Sequence, residues 1–230
     1  MVRRTPWRVA NDNVATPDEL KEKNEKTMLF MDVFHACGMA FLSVMGHPTF
    51  HRSAEPVGTC AKDELFKSLD IAIGELNDGG LTVEETQCDK AFEPVMNEVK
   101  DELGIKLNTS NAQDHAPQAE RNNGTLKEAF GTALHRMPHK RTPKTMIVKL
   151  IRLCAKRLNW FPAEHGTSKC CSPMTVVTGK TLDYEKHCRY EFGTCVQAST
   201  QNAPVNSVKE RTIDGIYLGP SDNVQGGHCV

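Results

Sequence analysis

The spacing of apolar and polar positions changes several times along the chain, and each change marks an element. MLFMDVF (28–34) is a short, almost continuous apolar run, as expected of a strand buried on both faces. His35-Ala36-Cys37-Gly38 predicts a turn, and MAFLSVM (39–45) a second apolar strand. A short third strand is expected near Thr49–Arg52, which would complete an antiparallel meander. Between Ala61 and Asn77 the residues Leu65, Phe66, Leu69, Ile73 and Leu76 recur at helical spacing, and Asn77-Asp78-Gly79-Gly80 closes that helix. LTVEET (81–86) alternates as a strand does. Phe92, Val95, Met96, Val99 and Leu103 predict another helix, stopped by Gly104, and IKLN (105–108) a short strand.

After a polar loop, Thr109–His115, a helix is expected with Pro117 in its first turn, running to about Leu134. The basic, proline-bounded stretch RMPHKRTP (136–143) separates it from an amphipathic helix. Met146, Ile147, Leu150, Ile151, Cys154 and Leu158 form one face of that helix, with Lys149, Arg152 and Lys156 on the other. Ser172 as cap, Pro173 in the first turn and Gly179 at the end predict a short helix over Met174–Thr178. YEFGTCVQ (190–197) and DGIYLG (214–219) suggest two strands of a small C-terminal β element. Residues 1–27 read as a flexible lead-in with one helical turn through Asp18–Lys23, 28–160 as the core domain, and 161–230 as a truncated post-core extension. This order of elements makes an α/β fold, a mixed sheet with helices packed on it.

Composition changes the picture little. The chain has 230 residues, 39% hydrophobic and 25% charged, as in ordinary globular proteins. It has neither an apolar run of membrane-spanning length nor an apolar signal core at its start, so an intracellular site away from membranes is expected. Nine cysteines form no CxxC pair. The nearest thing to a zinc cluster is His165, Cys170, Cys171, His187 and Cys188, whose spacing suits unpaired thiols better than a finger.

Charge distribution says more than the net value of −1. Ten basic residues between Arg121 and Trp160 face one acid, Glu128, leaving +9 in forty residues. Lys127, Arg136, Lys140, Arg141, Lys144, Lys149, Arg152 and Lys156 carry most of it. Such asymmetry suits a polyanion such as DNA, or else a solvated pair of lysine-rich helices.

Three carboxylates are then the natural candidates for chemistry. Asp32 lies inside an apolar strand, where a lone carboxylate is costly unless paired or bound to a cation. The bland alternative is an aspartate at a strand end that meets solvent. Asp89 follows the LTVEET strand and could equally cap the next helix. Glu120 sits in the first turns of the helix from Pro117, with Asn123, Gly124 and Lys127 on its face. An all-oxygen trio is what Mg²⁺ prefers, and two such ions can drive phosphoryl transfer.

From about Leu29 onward the chain resembles the integrase region of copia-type retrotransposon polyproteins. DHAPQAERNNGTLKE (114–128) resembles the family segment with the third acidic residue, matching Glu120. MLFMDVFHACGMAFLSV resembles the first strand pair, with the first acid at Asp32, and TQCDKAFEPV the second acidic motif, with Asp89. LNWFP, SPMTVVTGKTLDY, EFGTCVQ and RTIDGIYLGPSDNVQGG resemble the stretch that follows the core.

The resemblance implies a ribonuclease H-like fold and a polynucleotidyl transferase. That enzyme would process DNA 3′ ends and join them to target DNA, with Asp32, Asp89 and Glu120 holding Mg²⁺ or Mn²⁺. It also implies a homo-oligomer, acting in the nucleus or in cytoplasmic virus-like particles. The alternatives are a catalytically inactive nucleic-acid-binding remnant and a ribonuclease H-type nuclease that cuts without joining.

Overall fold

The computed structural model describes residues 12–58, 62–109, 117–199, 212–221 and 227–230. The expected apolar strands are present and longer than the runs that announced them: β1 is Lys26–Ala36 and β2 is Met39–His47. They form an antiparallel hairpin pairing Met28 with His47 through Ala36 with Met39. Its tight turn places both Cys37 (φ 49°) and Gly38 (φ 72°) in the left-handed region, the geometry that matches the twist of the flanking strands.

The third strand, expected near Thr49–Arg52, is displaced: β3 runs Arg52–Pro56, antiparallel to β2. Thr49 is taken up by a turn instead. Its hydroxyl donates to the Gly46 carbonyl and accepts from the His51 N–H, while Phe50 (φ 60°) donates its N–H to the Gly46 carbonyl. A threonine hydroxyl can replace ladder hydrogen bonds in this way, and it delays the strand.

Helix α2 (Lys62–Asp78) crosses to β4 (Thr82–Cys88), which lies parallel to β1, and β5 (Lys106–Thr109) lies parallel to β4. Between β4 and β5 the single helix expected from Phe92 is two pieces: a 3-10 segment, Lys90–Val95, and α3, Met96–Leu103. Pro94 lies inside the first piece, and without an N–H it cannot serve the regular α-helical ladder. Gly104 (φ 69°) ends α3 as expected. The sheet order is β3-β2-β1-β4-β5. Three antiparallel strands continued by two parallel ones, with helices on both faces, make the α/β, ribonuclease H-like arrangement that the resemblance implies.

One face of the sheet packs Leu29, Met31, Leu42 and Val44 against Leu65, Leu69 and Ile73 of α2 and against Phe92 and Val99. On the other face Phe34, Phe41 and Ala54 meet Leu126 and Phe130 of α4 (Pro117–Arg136) and Ile147, Leu150 and Ile151 of α5 (Lys144–Leu158). Each such side chain is worth about 1.5–3 kcal/mol when fully buried. These two layers therefore fix which way β1 presents its one carboxylate.

Of the expected lead-in, residues 1–11 lie outside the described residues, as does most of the Thr109–His115 loop. From Asp12 onward the chain is held down: Val14 donates to the Gly179 carbonyl, the Thr16 hydroxyl donates to the Thr175 carbonyl, and α1 spans Asp18–Asn24. These partners belong to α6 (Pro173–Thr178) and its end. There Ser172 caps Thr175 and Gly179 (φ 69°) terminates the helix, as the sequence predicts.

Beyond α7 (Tyr184–His187) the C-terminal β element forms later than expected. Phe192-Gly193 turns, and only β6 (Cys195–Ser199) pairs with β7 (Thr212–Ile216); β8 (Gly219–Pro220) pairs with β9 (His228–Cys229). No helix among the described residues is long and apolar enough to cross a membrane.

Candidate active site

Asp32 stands opposite Ser43 in the β1–β2 register, on the sheet face covered by α4. Both of its carboxylate oxygens are engaged. Oδ1 accepts the Val33 N–H at 2.7 Å, and Oδ2 accepts from Asn123 Nδ2 at 2.7 Å. Ser43 completes the arrangement: its hydroxyl lies against Asn123 Oδ1, and 3.2 Å from the Asp32 carbonyl. Asn123 is 6% exposed and Ser43 1%, so these bonds are formed away from water, where leaving one unmade is expensive. The spacing places Asn123 on the face of Glu120 but gives it no role. Its function as the clamp on Asp32 depends on where α4 crosses the sheet. Ser43, a polar residue within the apolar run MAFLSVM, was the available clue.

Asp89 follows the last residue of β4. Continuing the parallel register Phe30–Gln87 by two residues sets it beside Asp32 at the same end of neighbouring strands. Its Oδ1 accepts the Lys90 N–H at 2.7 Å, so it does cap the 3-10 segment. Beneath it the Cys88 thiol is pushed up to about 12, by burial first and then by the Asp89 charge. Glu120 lies in the first turn of α4 and is exposed, as is Lys127 two turns further on.

These groups feel one another. Burial is the main cause that raises the Asp32 carboxyl above its ordinary value, opposed by the Val33 N–H. The charges of Asp89 and Glu120 raise it further, and that of Lys127 lowers it. The structure thus brings all three sequence-predicted acids, with Lys127, into electrostatic range. It does not close them into a coordinating array: among the described residues no group of three His, Cys, Asp or Glu side chains is close enough to hold a metal ion. His165, Cys170, Cys171, His187 and Cys188 form no such group either. His187 instead accepts the Asp183 N–H and packs its ring 4.6 Å from that of Trp160.

The basic residues divide. Lys127, Lys140, Arg141, Lys144 and Lys149 are exposed. Arg136 pairs with Glu191 at 2.6 Å. Arg152 is exposed but paired with Glu55, and Lys156 is half-buried in a cavity wall, so of Lys149, Arg152 and Lys156, expected together on one helix face, only Lys149 is exposed and not held by Glu55 or the cavity.

No protein-family model matches the chain, and no curated protein matches it. Among solved structures, the catalytic core domain of BIV integrase aligns with 65% of this chain and 92% of that one, at 16% identity and a TM-score of 0.49.

Proposed function

We propose that the chain is an integrase core of the copia type, a polynucleotidyl transferase that processes DNA 3′ ends and joins them to target DNA. The observation that carries this reading is the electrostatic one: a half-buried strand aspartate whose carboxyl is raised by burial and then by two further acids, Asp89 and Glu120. A cation would relieve that repulsion, and an oxygen-only donor set suits Mg²⁺ or Mn²⁺ in kind. Asp32, Asp89 and Glu120 are the residues that would hold it. An ion held there would supply Lewis-acid polarisation of a phosphate and lower the cost of forming an attacking oxyanion.

The chain's own part is positional. Asn123 and the Val33 N–H fix the Asp32 carboxylate, so that it need not reorganise on binding. Lys127 supplies a positive charge beside the acids, where a DNA phosphate would lie, and Lys140, Arg141, Lys144 and Lys149 extend that charge. Residues 28–160 would form the catalytic unit and 161–230 its extension. Joining two DNA ends calls for two active sites, hence a homo-oligomer, working in the nucleus or in virus-like particles.

A second reading, a nucleic-acid-binding remnant without catalysis, is favoured by one specific observation: Asp89 is occupied as a helix cap, and the three acids do not gather as metal ligands. Titration of Mg²⁺ or Mn²⁺ followed by thermal melting, wild type beside Asp89→Ala, separates the two. Catalysis requires a metal-dependent rise in Tm that the variant lacks, and strand transfer that the variant abolishes. No rise in either protein, with DNA binding intact, would establish the remnant.

A further inference from the structure

Two consecutive asparagines tie α4 to the sheet by directional bonds. Asn123 reaches Asp32 and Ser43 on the central strands. Asn122, 2% exposed, turns instead toward β3, where its Oδ1 accepts the Arg52 Nε–H at 2.9 Å. In the strand register Asp32, Ser43 and Ala54 stand side by side, and Phe30, Met45 and Arg52 form the next row on the same face. The two bonds therefore seat the helix on different strands and at different levels of the sheet. Its apolar contacts, Ala119 with Phe30 and Met45, and Leu126 and Phe130 with Phe34 and Phe41, are non-directional and set no rotation by themselves.

Arg52 is itself fixed. Its N–H donates to Asn159 Oδ1 at 2.8 Å and its carbonyl accepts from Asn159 Nδ2 at 2.7 Å, so the backbone from which its side chain springs is held at the end of α5. Among the described residues no carboxylate pairs with the guanidinium, and burial pushes it below its ordinary value. The Asn122 Nδ2 is buried with no hydrogen-bond partner among the same residues. Both ends of the Arg52–Asn122 bond thus carry a cost, a charge without a counter-ion and a donor left unsatisfied.

We propose that Arg52 is a positioning residue for the acid site: by holding Asn122 it fixes the one rotation of α4 at which Asn123 meets Asp32, carrying Glu120 with it. Glu120, Asn122 and Asn123 lie within one turn of a rigid helix, so a rotation that frees Asn122 displaces the other two as well. A buried polar pair of this kind singles out one arrangement among those that apolar packing alone would admit. The inference rests on the reading of Asp32, Asp89 and Glu120 as a site; Arg52 acts on that site only through the helix.

The test is hydrogen exchange of the whole chain, read by nuclear magnetic resonance at the Asn123 side-chain amide. The backbone amide of Leu150, 1% exposed in the core, reports global opening. A variant carrying both Arg52→Met and Asn122→Leu replaces the two partners by apolar groups of similar length, so it should melt close to wild type. Its Asn123 amide should nonetheless exchange about tenfold faster or more relative to Leu150, the worth of one hydrogen bond to a charged group. Asn122→Asp, which keeps an acceptor for the Arg52 Nε–H, should retain the wild-type ratio. Arg52→Met alone supplies the same reading if the double variant does not fold. A purely structural role would speed both amides together. An unchanged ratio in the variants that lack Arg52 therefore overturns the inference, as does a ratio in Asn122→Asp that rises as far as in the double variant. The signal is read without metal or DNA, so its failure is distinct from a failure of the metal titration of the three acids.

Discussion

At the scale of single residues, Asp32 is a position where the fold accepts a cost. Its carboxyl is raised in the folded chain, so between the unfolded value near 3.8 and the raised folded value the folded state binds more protons than the unfolded one. Stability therefore falls as pH rises through that window, and the full penalty persists above it. Asp32→Asn should accordingly be more resistant to urea than wild type at pH 7 in metal-free buffer, with the advantage shrinking toward pH 4. An equal or weaker variant at pH 7 would mean that the hydrogen bonds from Val33 and Asn123 outweigh the burial.

Asn123→Ala is expected to behave oppositely. It removes a buried donor from Asp32 and a partner from Ser43, at a cost of about 1–3 kcal/mol in chemical denaturation. Asp32 was legible because a charge inside an apolar strand contradicts its surroundings. Asn123 was not, because an asparagine on a helix looks the same whether it faces water or a buried carboxylate.

At the scale of elements, the sequence was most legible where one periodicity acts without competition. β1, β2, α2 and α6 appear where their patterns and caps put them. It was misleading where a local chemical device intervened: the Thr49 hydroxyl that delays β3, Pro94 that forces a 3-10 segment ahead of α3, and the Phe192-Gly193 turn that shortens the strand expected from Tyr190.

Gly79 is a further position that spacing reads only as a helix stop. A Cβ placed there would lie 2.2 Å from the Val177 carbonyl oxygen, so the end of α2 can approach α6 only without a side chain. Gly79→Ala should cost about 1–3 kcal/mol by forcing the two helices apart, as other overpacked substitutions do. A drop in Tm with an unchanged far-ultraviolet spectrum would identify that separation, whereas an unchanged Tm would show that the backbone yields freely.

For the whole molecule, the positive excess between Arg121 and Trp160 was legible as a total but not as a surface. Which of those exposed side chains already have an acid partner depends on distant segments, Glu55 for Arg152 and Glu191 for Arg136. The DNA binding proposed for this chain should therefore follow the exposed lysines rather than these two paired arginines. Replacing Lys140 and Lys149 together by glutamine should lower affinity on any sequence. It should also reduce the dependence of log K on log salt by about one unit for each phosphate that is no longer neutralised. Arg152→Gln, with its partner already in the protein, should change that slope little.

The open side of the sheet also constrains how copies of the chain can meet. At β3 the Asn159 side chain behaves as one residue of a missing strand: its Oδ1 accepts the Arg52 N–H at 2.8 Å and its Nδ2 donates to the Arg52 carbonyl at 2.7 Å. A neighbouring molecule that tried to extend the sheet there would first have to dislodge that amide, and would then meet α5 lying over the same strand. Strand addition at the start of β3 is thus opposed by one asparagine, with α5 over the rest of the strand. The other border of the five-stranded sheet is β5, and a copy that extended the sheet would have to do so there.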